Sequence, residues 1–202
     1  MRMRTVECAP LTDAALLALR LATGGLLAGH GAQKLFGWFG GHGFAGTAQW
    51  LESMGLRPGK WWAAGAGLAE FGGGMLTALG LFNPLGPIGI TAAMSAATAK
   101  VHWGKPIWVT EGGAEFPLTN AAVALAIALA GPGRYSLDRV FGIRLPWAFA
   151  ALAAAGAAAG LALAVGRQPA PAAETEPRDE AAAEEQAERD RARFEAVEHR
   201  AA

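Results

Sequence analysis

Apolar residues fall in long blocks, separated by short stretches rich in glycine, proline and charge. The first block predicts a helix from about Leu11 or Asp13, a candidate N-cap, to Phe36, which exceeds the ~20 residues a bilayer requires. Gly25-x-x-x-Gly29 offers it a small-residue face for close packing. Gly37 to Lys60 reads as a loop, with glycines at 40, 41 and 43, a Pro58-Gly59 turn, and a short interfacial helix at Ala45–Met54 around Trp50 and Leu51. Trp61-Trp62 marks a membrane interface and opens a second helix to about Phe82. Gly65, Ala69 and Gly73 form its expected small face, Glu70 lies near mid-span, and the Gly72–Gly74 run is placed to loosen it.

Asn83-Pro84-Leu85-Gly86-Pro87 is a tight turn, so the second and third helices are antiparallel neighbours. The third helix carries Lys100, His102 and Trp103 at its far end, and a polar loop from Lys105 to Glu115 follows. Glu115 and Pro117 suit the first turn of a fourth helix, which ends at Gly131-Pro132-Gly133. Trp147 to Gly166 is a fifth apolar segment of mostly alanine and glycine: its length reads as a span, while its composition drives insertion only weakly. The fold class is therefore all-α, a transmembrane four-helix bundle over 13–138 with a fifth Ala-rich helix over 146–166. Residues 1–12 precede it, and 167–202 form a charged helical or disordered tail.

The chain is 52% hydrophobic and its formal net charge is zero. The zero conceals a segregation: from Arg167 onward six arginines face ten acids, a net of −4, and the remainder carries +4. No basic stripe interleaved with aromatics is present, which sets nucleic-acid binding aside. Cys8 is the lone cysteine, so an intramolecular disulfide, a CxxC redox pair and a cysteine zinc site are excluded. The basic start Met1-Arg2-Met3-Arg4 leads into an apolar run longer than a signal peptide's and interrupted by Arg20, which reads as an uncleaved first span.

Successive spans alternate direction, so the ends of the first and third helices share one membrane face. His30, Gln33 and Lys34 lie on one helical face at i, i+3 and i+4. They are expected to meet Glu70, Lys100, His102 and the loop with Glu111 and Glu115. Ionisable groups at such depths are costly unless they pair or line a wet cavity. The functional reading is a pocket in which His30 and Glu70 exchange protons, with Gln33, Lys34, His102, Glu111 and Glu115 holding an anionic or quinone-like oxygen. The structural reading has Arg20 and Glu70 as an interior ion pair, Gln33 tying helices together and Lys34 snorkelling to the surface. No metal-ligand spacing is present, and a bis-histidine haem is disfavoured because His30 and His102 differ in depth by roughly 8 Å.

These residues resemble a known family. Leu19-Arg20-Leu21, His30-Gly31-x-Gln33-Lys34-Leu35-Phe36-Gly37-Trp38-Phe39-Gly40-Gly41 and Gly67-Leu68-Ala69-Glu70-x-x-Gly73-Gly74 are similar to DoxX-family membrane proteins. Val101-His102, Glu111-Gly112-Gly113-x-Glu115-x-Pro117-Leu118 and Gly131-Pro132-Gly133-Arg134-x-Ser136-Leu137-Asp138 continue the resemblance. It implies a four-helix protein of the cytoplasmic membrane with the N-terminus inside. It also implies association with membrane oxidoreductase and oxidative-stress systems, including thiosulfate:quinone oxidoreductase, and no covalent cofactor. The fifth segment and the charged tail depart from the family pattern and suggest an added contact.

Three functions follow as expectations. One is a redox-system subunit that binds quinone or a small sulfur anion and takes electrons from a soluble or membrane partner. The second is a scaffold or assembly factor whose tail and loops recruit soluble enzymes; homo-oligomerisation is open under any of the three. The third is a small-solute or proton permease, against which stands the lack of an inverted repeat.

Overall fold

The computed structural model describes residues 9–166, and these are helical and connecting segments without a strand. The readings on the N-terminal arginines, Cys8 and the charged tail lie outside the described residues. The first apolar block is one rod: α1 (Ala9–Leu19) and α2 (Gly25–Phe36) are joined through a π-helical turn at Arg20–Gly24. Gly37, at φ +72°, ends it in the left-handed region that glycine adopts without strain. Next come the short α3 (Gly43–Ser53), the long α4 (Gly59–Leu79) and α5 (Leu85–Val101). α6 (Glu115–Ala130), the single-turn α7 (Leu137–Phe141) and α8 (Trp147–Gly166) complete the order.

The rod packs on α4, α4 on α5 and α5 on α6, and α6 returns to the π turn and α1. α3 leans on α2 and α4, and α8 lies along α5. Leu27, Ile90, Met94 and Ala124 form the buried centre where the rod, α5 and α6 meet. Two of the helices, Pro10–Phe36 and Trp147–Gly166, are long and apolar enough to cross a membrane.

The close-packing face of the rod is not Gly25/Gly29, where an added Cβ would meet nothing within 4 Å. It is Gly24, Ala28 and Gly31, set against Phe71, Gly74 and Ala78 of α4. A Cβ on Gly24 would come within 2.5 Å of the Ala78 backbone nitrogen, so the two backbones approach as closely as they do because no side chain intervenes. On α4 the packed positions are Gly67, Gly73 and Gly74, while Gly65 is exposed. The Gly72–Gly74 run does not interrupt α4, which is helical throughout; Gly73 and Gly74 serve approach by α5 and the rod. Sequence periodicity finds small residues but cannot tell which neighbouring phase of the helix faces the partner.

The end of the molecule remote from the first helix's polar triplet is held by Arg20, Asp13 and Asp138. Arg20 is 1% exposed, and its guanidinium donates to the carbonyls of Pro132, at 2.5 Å, and Tyr135. The Asp138 carboxylate acts on it electrostatically and accepts from the backbone N–H groups of Phe82 and Asn83, both at 2.8 Å. Asp13 is not an N-cap, since the helix starts earlier; its Oδ1 accepts from the Arg134 N–H at 2.9 Å.

Candidate functional site

At the opposite end, a cavity of about 490 Å³ lies between α2, α3, α4, α5, the start of α6 and α8. Most of its lining is alanine, glycine and other apolar side chains. Five ionisable groups border it: His30 and Lys34 from α2, Glu70 from α4, and Lys100 and His102 from the end of α5.

Lys34 and Glu70 form its chemical centre. Lys34 Nζ lies 2.5 Å from Glu70 Oε2, with the glutamate side chain 5% exposed and the lysine 27%. Helix geometry brings them together. Cβ atoms tilt toward their own helix N-terminus, so Lys34, near the end of α2, aims inward, while Glu70, on antiparallel α4, aims back toward the mouth. Lys34 also lies in the last turn of α2, where a cation complements the helix dipole. The Thr47 hydroxyl donates to the Lys34 carbonyl at 3.2 Å, tying α3 to that turn.

This pair corrects the sequence reading in two places. Lys34 is neither a surface snorkel nor only a ligand-holder, and Glu70 pairs with it rather than with Arg20. Arg20 is structural: its guanidinium is held by the Pro132 and Tyr135 carbonyls, and Asp138 is the acid whose charge acts on it. Arg20 lies fourteen residues before Lys34 in the rod, about 21 Å along a helix axis, too far for Glu70 to serve both.

His30 sits one turn deeper than Lys34, and its ring is 5.3 Å from that of Phe116, tilted by 58°. His102 Nδ1 lies 2.7 Å from the Gly112 carbonyl. A carbonyl can only accept, so Nδ1 donates and the lone pair of the neutral ring is on Nε2. The contact ties the 107–115 loop to the end of α5.

The other expected site residues stand back from the cavity. Gln33 donates weakly to the Phe39 carbonyl at 3.4 Å. Glu115 accepts from the Val109 N–H at 3.0 Å and shapes the loop ahead of α6. Glu111 is exposed on the 3-10 turn Val109–Glu111. None of the three lines the cavity; Glu111 and Glu115 are held in a loop that folds over its own backbone hydrogen bonds, including Gly113 N–H to Trp108 O at 2.9 Å.

Two contributions escaped sequence reasoning. Lys100 borders the cavity, whereas the sequence placed it at this end without giving it a part in the pocket. The face of α8 carrying Gly156, Ala157, Gly160, Leu161 and Ala164 also borders it, and the i, i+4 spacing of its small residues was the available signal. Among the described residues no three His, Cys, Asp or Glu side chains gather as a metal set. The lining lysines outnumber the single carboxylate, so the polar end suits an anion or an electron-rich oxygen.

No curated protein and no solved structure matches the chain. The family model DoxX matches residues 15–103, from the first turns of the rod through α3, α4 and α5 to Trp103, leaving α6, α7 and α8 outside the match. With His30, Lys34, Glu70, Lys100 and His102 all inside that stretch, the part of the chain that carries the site, residues 15–103, is a DoxX-family domain.

Proposed function

We propose that the protein is a multi-pass subunit of a redox or oxidative-stress system in the cytoplasmic membrane, and that it binds a quinone or a small sulfur anion at the Lys34–Glu70 end of the cavity. The observation that carries this is the nearly buried Lys34–Glu70 pair set in an otherwise apolar cavity between two histidines. Desolvating such a pair costs several kcal/mol per ion, and hydrophobic residues of the same volume commonly stabilise a protein as well. An ion pair retained at a cavity wall is therefore better explained by what it holds.

Exposed aromatic residues support a spanning arrangement. Trp38, Phe39, Trp61 and Trp103 cluster near the cavity mouth, and Tyr135, Phe141 and Trp147 at the other end. The twenty residues of α8 rise about 30 Å between these levels, the thickness of a bilayer core. The four-helix membrane bundle then consists of the rod, α4, α5 and α6, with α8 as a fifth span.

In this reading Lys34 donates to the bound oxygen, Glu70 orients Lys34, His102 presents its Nε2 lone pair as an acceptor for a ligand hydroxyl, and His30 exchanges protons with the cavity. Reducing a quinone to a quinol takes two electrons and two protons. The protons pass through His30 and the Lys34–Glu70 pair, and the electrons come from a soluble or membrane partner. Gln33, Glu111 and Glu115 have no direct part.

The test is equilibrium binding of a short-chain benzoquinone and of thiosulfate to the purified full chain in lipid nanodiscs. Wild type binds one of them, and Lys34→Met and His30→Ala each weaken that binding by about tenfold or more, the size of one lost charge-assisted hydrogen bond. Wild-type affinity in both variants refutes the proposal. Proton or solute flux through liposomes that depends on Glu70 would favour a permease instead.

A further inference from the structure

The cavity is much larger than its polar end needs. Its volume is about 490 Å³, whereas the charged groups gather toward the mouth. Below Lys100 the space is bounded on one side by Ala92, Ala96 and Ala97 of α5 and on the other by Gly156, Gly160 and Leu161 of α8. From Ala92 to Lys100, and again from Gly156 to Ala164, the wall runs eight residues, about 12 Å. A Cβ added at Gly156 or Gly160 would meet nothing within 4 Å, so both glycines border open space. α8 is fastened at its last turns, where Ala164 is buried against Leu51, Leu56 and Ala63, and both glycines lie before that anchor.

We infer that α8, which lies outside the family-matched stretch, is the wall that sets ligand selectivity. It makes the pocket a site for a single-chain amphiphile, with the oxygen-bearing head at Lys34–Glu70 and the apolar chain along the bare Gly156–Gly160 face. This rests on the pocket reading above and narrows it, since a small inorganic anion would leave the apolar slot unfilled, without the dispersion contacts a packed interior makes. The shared chemistry, a polar head on one apolar chain, is found both in a membrane quinone and in a fatty acid.

The experiment measures binding by the full chain in nanodiscs of three probes: a dimethoxy-methyl-benzoquinone without a side chain, the same ring with a decyl chain, and decanoate. Variants are Gly160→Leu, Gly156→Leu, and Ala158→Leu, which adds the same side chain at a position of α8 that does not line the cavity. Gly160→Ala, adding one methyl, serves if a leucine variant fails to fold.

Wild type is expected to bind the decyl quinone at least about tenfold more tightly than the chainless ring, from burial of several methylenes. Gly160→Leu and Gly156→Leu remove most of that gain and leave the chainless ring within about twofold, while Ala158→Leu changes neither. Gly160→Ala takes a smaller part of the gain in the same direction. Equal binding of the two quinones, or a chain effect that survives both leucines, overturns the inference while the pocket reading stands. Decanoate binding that Gly160→Leu weakens, with neither quinone bound, supports the amphiphile site and overturns the quinone reading. Failure of all three probes overturns the inference and the quinone form of the pocket reading, and thiosulfate binding then decides whether the anion form stands.

Discussion

Lys34 and Glu70 are unequal partners, and removing them should not cost the same. Glu70 is 5% exposed at its side chain, so Lys34→Met strands a largely desolvated carboxylate without its cation. Breaking a buried pair in this way costs about 3–5 kcal/mol. Lys34 is 27% exposed and carries a flexible stem, so in Glu70→Gln the ammonium can swing toward the mouth and keep a neutral acceptor nearby. That cost is about 1–2 kcal/mol, near the value of a hydrogen bond to a charged group. The double variant Lys34→Met/Glu70→Gln removes both charges and should recover about 1–3 kcal/mol relative to the sum of the singles. Thermal unfolding in one fixed detergent resolves this, because each kcal/mol shifts the midpoint by about 2–4 °C for a chain of this size. Equal single losses below about 1 kcal/mol, or a strictly additive double variant, would refute the reasoning: the 2.5 Å contact would then not be energetically coupled.

Arg20→Ala should be among the most damaging single changes, at about 3–5 kcal/mol, because it unpairs the Pro132 and Tyr135 carbonyls and leaves Asp138 without its cation; urea or SDS titration reads the loss. Asp138→Ala frees two N–H groups in the turn where Phe82 sits at φ +52°, for about 2–4 kcal/mol, and the same titration measures it. Gly29→Ala should be neutral or stabilising by up to about 1 kcal/mol, whereas Gly24→Ala, facing the Ala78 backbone, should cost about 1–3 kcal/mol; the order of their melting temperatures decides which face packs. His102→Ala releases the Gly112 carbonyl and should raise amide hydrogen exchange across 107–115 while leaving α4 unchanged.

Much of the architecture was legible along the chain. Long apolar blocks, the Asn83–Pro87 turn, the Glu115 and Pro117 start of α6 and the Trp147–Gly166 segment all appear as elements where pattern placed them, because local propensity and periodicity act within a few residues. The short helix around Leu51 is also present, as α3. Alternation of helix direction placed His30, Lys34, Lys100 and His102 at one end, since parity depends only on the number of spans. The DoxX motifs pointed to the family by the same one-dimensional means.

What the chain alone left undecided were the choices made between elements. Glu70 had Arg20 and His30 as candidates on the rod, and residue rise along a helix axis left both open; the tilt of side chains on antiparallel helices brought it to Lys34 instead. Arg20 donates to the Pro132 and Tyr135 carbonyls and feels the charge of Asp138, all more than a hundred residues away, which no local spacing encodes. The π turn at Arg20–Gly24 and the packing of Gly24 rather than Gly25 depend on how closely α4 approaches. The cavity belongs to no segment at all: its floor, polar end and α8 wall come from helices far apart in sequence, and only their packing leaves the space unfilled. Sequence determined which helices form and which of their ends share a side, because those follow from local chemistry and chain direction; tertiary structure decided who pairs with whom and where the pocket lies, because those depend on helix rotation and distance, which no period along the chain specifies.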